Sequence, residues 1–222
     1  MSGTSGQRRL AEVWPLFGLS IRTPRLILTP VRDEQLPGLV DAILAGIHAP
    51  SVMPFGVPWT DAPRDTLIRE SLKYQWSLRA ALSPDDWTIS FAVQHEGRVI
   101  GVQDLSARRF SLLRRVSTGS WLTSAEQGKG LGKEMRAAVL QFAFDHLGAE
   151  SAASGAAAWN RASLGVSAAL GYEPNGSALI EARPGQADEH QLLLLAREDF
   201  RRPEWTAAVE GVEAVRPILA GA

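Results

Sequence analysis

The chain has 222 residues, 45% hydrophobic and 21% charged, with 23 Lys and Arg against 24 Asp and Glu for a net charge of −1. That is enough chain for one domain with a sizeable core, and a charge balance that gives no global attraction to nucleic acid or to an anionic membrane. The lack of cysteine excludes disulfides, thiolate metal sites and a Cys nucleophile, and no apolar run reaches the ~18 residues of a spanning helix.

Residues 1–20 begin small and polar, lack the apolar segment of a secretory signal, and read as a flexible arm before a single domain over 21–222, so a cytoplasmic protein is expected. Arg25 to Pro30 is a short β-type run stopped by proline. Asp33 is placed to cap a helix carrying Leu36, Leu39, Val40, Ile43, Leu44 and Ile47 at helical spacing. A Pro-rich aromatic loop from Pro50 to Pro63 precedes a second helix, Arg64 to Ala81. Trp87–Val93 and Val99–Leu105 predict a hairpin turning at His95-Glu96-Gly97-Arg98, with Val116–Leu122 as the next strand. A Gly-rich turn leads into a helix over Gly130–Leu147, stopped by Gly148. A small-residue strand (Ser151–Ala157), a short helix (Arg161–Leu170) and strands near Tyr172 and Gln191–Ala196 complete a mixed α/β body. Trp205 and Ile218 predict that the tail packs back.

The stretch from Trp121 to Met135 places three glycines in five residues between a strand and an amphipathic helix. Glycines let the backbone turn tightly and let a ligand approach N–H groups at a helix N-terminus, where unpaired donors and the helix dipole favour phosphate. Lys129 and Lys133 add positive charge. A Walker A loop is rejected because Lys133 is followed by Glu134, which leaves no hydroxyl for Mg²⁺. A dinucleotide fingerprint is rejected because it would need glycine at 133.

Gln127, Gly130 and Gly132 fit the pattern Gln/Arg-x-x-Gly-x-Gly/Ala, which resembles the acyl-CoA pyrophosphate loop of the GNAT superfamily of N-acyltransferases. Arg22-Thr23-Pro24-Arg25-Leu26-Ile27-Leu28, Gly119-Ser120-Trp121-Leu122, and Asn160-Arg161-Ala162-Ser163 followed by Gly171-Tyr172 extend the resemblance to the ribosomal-protein N-terminal acetyltransferase subfamily. The resemblance implies a GNAT fold: a strongly twisted, mostly antiparallel sheet of about seven strands flanked by about four helices and splayed in the middle to admit acyl-CoA. It implies direct attack of an amine on the thioester of acetyl-CoA, or another acyl-CoA such as succinyl-CoA, with no covalent enzyme intermediate; the histidine spacing separately predicts no metal. Homodimerisation is expected by family analogy only.

The resemblance also distributes roles. Gln127, Gly128, Lys129, Gly130, Leu131, Gly132 and Lys133 hold the pyrophosphate; Trp121, Leu122 and Thr123 pair with pantetheine and present an N–H to the thioester oxygen. Ser163 assists the departing sulfur and contacts the cofactor, with Asn160 orienting pantetheine or Ser163; as a plain helix cap, Asn160 would do no more than satisfy the first turn. Asp104 is a candidate base for the acceptor amine, and its alternative is a solvated surface carboxylate. Pro54, Phe55 and Trp59 are assigned to the acceptor wall. An anionic acyl group would need a cation near the thioester, and Arg108, Arg109, Arg114 and Arg115 are spare. None of the four histidines forms a ligand-spaced pair. The rival reading is a CoA-binding sensor or scaffold module of the same fold without catalysis.

Overall fold

The computed structural model describes residues 9–84 and 86–220. Nine strands form one sheet in the order β7-β8-β6-β5-β4-β3-β2-β1-β9. They are β1 (Ser20–Arg22), β2 (Leu26–Pro30), β3 (Asp86–His95), β4 (Arg98–Arg108), β5 (Arg115–Leu122), β6 (Ser151–Ala157), β7 (Glu173–Arg183), β8 (Gln186–Ala196) and β9 (Ala208–Glu210). The helices are α1 (Leu10–Val13), α2 (Leu36–Leu44), α3 (Arg64–Ala80), α4 (Phe110–Leu113), α5 (Leu131–Gln141, continued by a π-turn over Phe142–Leu147), α6 (Arg161–Ala169) and α7 (Val212–Leu219).

Every neighbouring strand pair is antiparallel except β5 and β6. These run parallel and pair only over Arg115–Ser117 with Ser151–Ala153. Beyond that point β5 continues to Leu122 and β6 to Ala157 with no ladder between them, so the sheet is split in its middle. The split is the feature that positions the site.

Alternation decides which face each helix covers. Leu26, Leu28, Phe91, Leu105 and Val116 project into one core with α5, whose residues Met135, Val139 and Phe142 are almost wholly buried. The opposite face carries Ala92 and Val102, which pack on Leu36, Leu39 and Ile43 of α2. Side chains two apart on a strand share a face, so β4 divides its residues between the two cores.

Three expectations need correction. Residues 14–20 are not an arm: Leu16, Phe17 and Leu19 are buried and β1 joins the sheet edge, because this segment supplies apolar surface as the first eight residues do not; those first residues lie outside the described part. Asp33 does not cap α2. It sits in a 3₁₀ turn before the helix and accepts hydrogen bonds from Arg79 (2.6 Å) and Trp76 (3.3 Å) on α3. The strand and helix counts exceed about seven and four, because the tail adds β9 and α7 and two single-turn helices occur. The tail packs back: Val215 and Leu219 are fully buried, and Trp87 Nε1 donates to the Leu219 carbonyl at 2.9 Å.

Candidate active site

The loop after β5 turns through two left-handed glycines, Gly128 (φ 74°) and Gly130 (φ 79°), before α5 begins at Leu131. No side chain caps this helix, and its first intrahelical bond runs from Glu134 N–H to Gly130 C=O. The N–H groups of Leu131, Gly132 and Lys133 are therefore open donors at the positive end of the helix. The neighbouring carboxylates are neutralised in place. Glu134 accepts from Thr23 Oγ1 (2.6 Å), Arg25 N–H (3.0 Å) and Arg25 Nε (2.7 Å). Glu126 is buried among Lys129 (3.0 Å), Arg98 (3.6 Å) and His95 (3.8 Å); its hydrogen bond from Lys129 holds its carboxyl below the usual range. It is neither solvated nor part of the helix first turn.

Gln127 holds the loop from inside, where its amide donates to the Ile47 and Leu122 carbonyls at 2.7 and 2.8 Å. Arg25, which the sequence reading passed over, donates as well to the Lys129 carbonyl at 3.0 Å. Its signal was present as an Arg two residues after Thr23, with a Glu in the first turn of the glycine-flanked helix. Lys133 is exposed at the mouth.

On β5 the register decides which amides face the split. Thr123 N–H donates to Ile100 C=O across the β4–β5 pair. Antiparallel partners alternate, so the Trp121 and Gly119 amides face β4, whereas those of Leu122 and Ser120 face the split. Thr123 is thereby committed elsewhere; its hydroxyl donates to the Gly46 carbonyl at 3.2 Å. Across the split, Asn160 caps α6 by accepting the Ser163 N–H at 3.1 Å, as a good N-cap should. The Ser163 hydroxyl makes no protein hydrogen bond among the described residues, which leaves it available to a ligand.

Between β5 and α6 lies a side chain with no counterpart in the sequence reading. Arg136, 5% exposed, projects from α5 and donates to Ser167 Oγ on α6 (2.7 Å) and Ser120 Oγ on β5 (3.3 Å). No carboxylate among the described residues pairs with it, its Nε has no partner, and burial lowers its pKa from the ordinary value. A guanidinium remains charged even so.

The α2/α3 face of the split is the other half. Trp121 faces a chain of rings: to Trp59 (6.1 Å between centroids), Trp59 to Phe55 (5.3 Å) and Phe55 to His48 (5.7 Å). Phe55 and Trp59 thus form a roof of rings over Trp121 of β5, with Pro54 beside Phe55 in the same loop. The roof is tied to β7 by Arg183, which donates to Asp61 (2.6 and 2.9 Å) and to the Pro50 carbonyl (2.9 Å). Asp104 stands on this face between Ser90 of β3 and Gly119 of β5. Its Oδ1 is buried with no partner, and burial pushes the carboxyl up to about 6, partly offset by the Ser90 hydroxyl. It is not a solvated surface group. Burial pushes the Tyr74 phenol of α3 up to about 12, with the Asp104 charge adding to it. His190 of β8 lies opposite Ala157 of β6, its Nε2 buried and unpaired, and burial lowers its pKa.

Residues 25–173 match the family model described as an acetyltransferase (GNAT) domain. The chain belongs to the GNAT acetyltransferase family. Among solved structures, Mycobacterium smegmatis RimJ in complex with a CoA disulfide is similar at 17% identity and TM-score 0.69, over 90% of this chain and 94% of that one. RimL, a ribosomal L7/L12 α-N-protein acetyltransferase bound to coenzyme A, is similar at 13% identity and TM-score 0.63, over 78% and 95%. A GCN5-related N-acetyltransferase from Brucella melitensis matches at 15% identity and TM-score 0.62, over 81% and 79%. At these identities the likeness establishes the GNAT fold.

The GNAT match spans β2 to α6, the whole of the loop, the split and the capped helix. Of the spare arginines, Arg109 and Arg114 adopt left-handed conformations on either side of α4, and Arg114 lies over the Phe110 ring. Arg108 and Arg115 lie at the paired end of β4 and β5. None of the four borders the split as Arg136 does. Among the described residues no three His, Asp or Glu side chains gather as a metal would require, and no helix is long and apolar enough to cross a membrane.

Proposed function

We propose that this GNAT protein is an acyl-CoA-dependent N-acyltransferase that transfers an acetyl or succinyl group to a primary amine by direct attack on the thioester. One observation carries the reading. The split has open amides of Ser120 and Leu122 along one wall, the open helix N-terminus at its CoA end, and a desolvated carboxylate, Asp104, on the face from which an amine would come.

The first-turn amides of α5 and the charge of Lys133 bind the pyrophosphate. The Leu122 and Ser120 N–H groups receive pantetheine as an added strand and one of them donates to the thioester oxygen, a contact of the kind worth about 3 kcal/mol in the transition state. Asp104 takes the ammonium proton; its raised pKa makes it a stronger base than a solvated carboxylate while leaving it ionised at neutral pH. The freed amine forms the C–N bond, the C–S bond breaks, and the Ser163 hydroxyl donates to the leaving sulfur. An acetyl group needs nothing further. A succinyl carboxylate needs a cation, and Arg136 beside the split is the one placed to supply it.

Calorimetric titration with CoA, acetyl-CoA and succinyl-CoA tests the reading. Binding of one thioester more tightly than free CoA is the expected result and identifies the donor. Absence of binding by all three overturns it. Binding without thioester consumption across a panel of primary amines would instead favour the silent CoA-binding module.

A further inference from the structure

On the α2/α3 face, the strand register arranges side chains in rows that run across three strands. The row nearest the mouth is Ala92, Val102 and Trp121; the next is Ser90, Asp104 and Gly119. Below it lie Thr88, Ser106 and Ser117, three hydroxyls side by side, and below those Asp86 and Arg108, with Arg115 opposite Arg108 by the same register. Apolar, acid, hydroxyl and guanidinium rows thus succeed one another, spaced about 6.7 Å apart along the strands.

The two lower rows line a cavity of about 480 Å³ between the sheet and the end of α3, beside Leu78. The way from Asp104 to this cavity is open along β5. Gly119 is exposed, and a Cβ placed on it would meet nothing within 4 Å. Ser117 and Arg115 continue the exposed stripe.

The cavity's charge is its anomaly. Like charges directly opposite each other on paired strands repel, yet Arg108 and Arg115 face each other at its end. Among the described residues their compensation is slight: Asp86 stands 4.0 Å from Arg108, both well exposed, while Arg115 donates only to the neutral Ser151 hydroxyl at 3.3 Å. A guanidinium pair with one loosely held carboxylate, facing a hydroxyl-lined space, is suited to receive an anionic group of a ligand.

We infer that this cavity is the distal acceptor subsite: the acceptor is an amine that also carries a carboxylate or phosphate, about 13 Å from its nitrogen along the strand direction. The amine lies over Gly119 beside Asp104, the connecting chain passes the hydroxyl row, and the anion lies between Arg108 and Arg115. Asp86 opposes an anion on the Arg108 side, so Arg115 is the principal partner. This inference rests on the acyltransferase reading for the placement of the amine.

The test uses the full chain saturated with CoA and two matched probes, 10-aminodecanoate and 10-amino-1-decanol, followed by calorimetry. The expected result is about tenfold tighter binding of the amino acid, the effect of one charge-assisted contact. The preference should disappear in the Arg108→Gln, Arg115→Gln double variant, whose positions are exposed and whose CoA affinity should match that of the native chain. 10-Aminodecyl phosphate in place of the carboxylate shows which anion the pair prefers. Equal binding of the first two probes, no binding of either by CoA-saturated protein, or a preference that survives the double substitution overturns the inference. Failure of CoA itself to bind registers separately, in the first titration, against the acyltransferase reading.

Discussion

Replacing Asp104 by Asn removes a charge that the fold holds at a cost. Burial raises this carboxyl from 3.8 to about 6, which corresponds to about 3 kcal/mol of unfavourable ionisation in the native state at neutral pH. Because the folded pKa is raised, the native state binds the proton more tightly than the unfolded chain. The penalty is absent below about pH 4, grows between pH 4 and 6, and is complete above that window. Asn is spared this penalty at every pH, although it must bury an amide where Oδ1 already lacks a partner; that cost does not vary with pH. The stability difference between Asp104→Asn and the native chain should therefore move in favour of the variant by about 3 kcal/mol between pH 4 and pH 7, read from urea unfolding at several pH values. On the proposed mechanism the same variant loses the limb near pH 6 from kcat/KM and falls in rate by about 10²-fold or more. A stability difference that stays flat from pH 4 to 7 would refute the burial argument. A limb that persists in the variant would refute the assignment of the base while leaving the burial argument intact.

Gly130→Trp places a side chain where φ is 79° and where even a Cβ lies 3.5 Å from the Arg25 guanidinium; CoA affinity should be lost while the unfolding transition persists, and native-like CoA binding would show that the loop does not hold the pyrophosphate. Ser163→Ala should lower turnover by about tenfold with CoA affinity unchanged, and an unaltered rate removes its hydroxyl from the mechanism. Arg136→Met should lower kcat/KM for succinyl-CoA relative to acetyl-CoA by about tenfold, measured as thioester consumption with a common amine. A ratio identical to that of the native chain means that Arg136 acts only as a tie between β5 and α6.

What could be read from the sequence, and what could not, follows from the range over which each interaction acts. The hairpin of β3 and β4, the strand Ser151–Ala157 and the Asn160 cap are local: alternation, a turn dipeptide or an i to i+3 hydrogen bond carries each of them. The glycine loop was legible because left-handed φ at positions 128 and 130 requires glycine, whatever surrounds it. The partners of Glu134, Arg136 and Arg183 were not legible, since each meets side chains or carbonyls far away in sequence. Asp33 was misread for a related reason. Its short carboxylate suits an N-cap, but Arg79 and Trp76 of α3 offer stronger partners once the two helices pack. Asp104 shows the limit most clearly: an Asp in a strand reads as solvated until the register reveals Ser90 and Gly119 beside it and α3 above.

The split sheet also accounts for where the protein keeps its costly groups. An unpaired buried carboxylate and an unpaired buried guanidinium both destabilise the native state, and a core selected for stability alone would replace either with an apolar side chain. Here they stand on opposite faces of the sheet, Asp104 toward α3 and Arg136 toward α5 and α6, with β5 between them. Direct neutralisation of one by the other is prevented by the strand itself. Each keeps one buried polar atom without a partner among the described residues, Oδ1 of Asp104 and Nε of Arg136. For a reaction that takes a proton from an amine on one side and develops negative charge on oxygen and sulfur, this is the required polarity. On the proposed mechanism the base, Asp104, would stand on the amine side and the cation, Arg136, on the opposite face of β5. Exchanging the two charges, as Asp104→Lys with Arg136→Glu, would keep the count of buried ions and abolish that polarity.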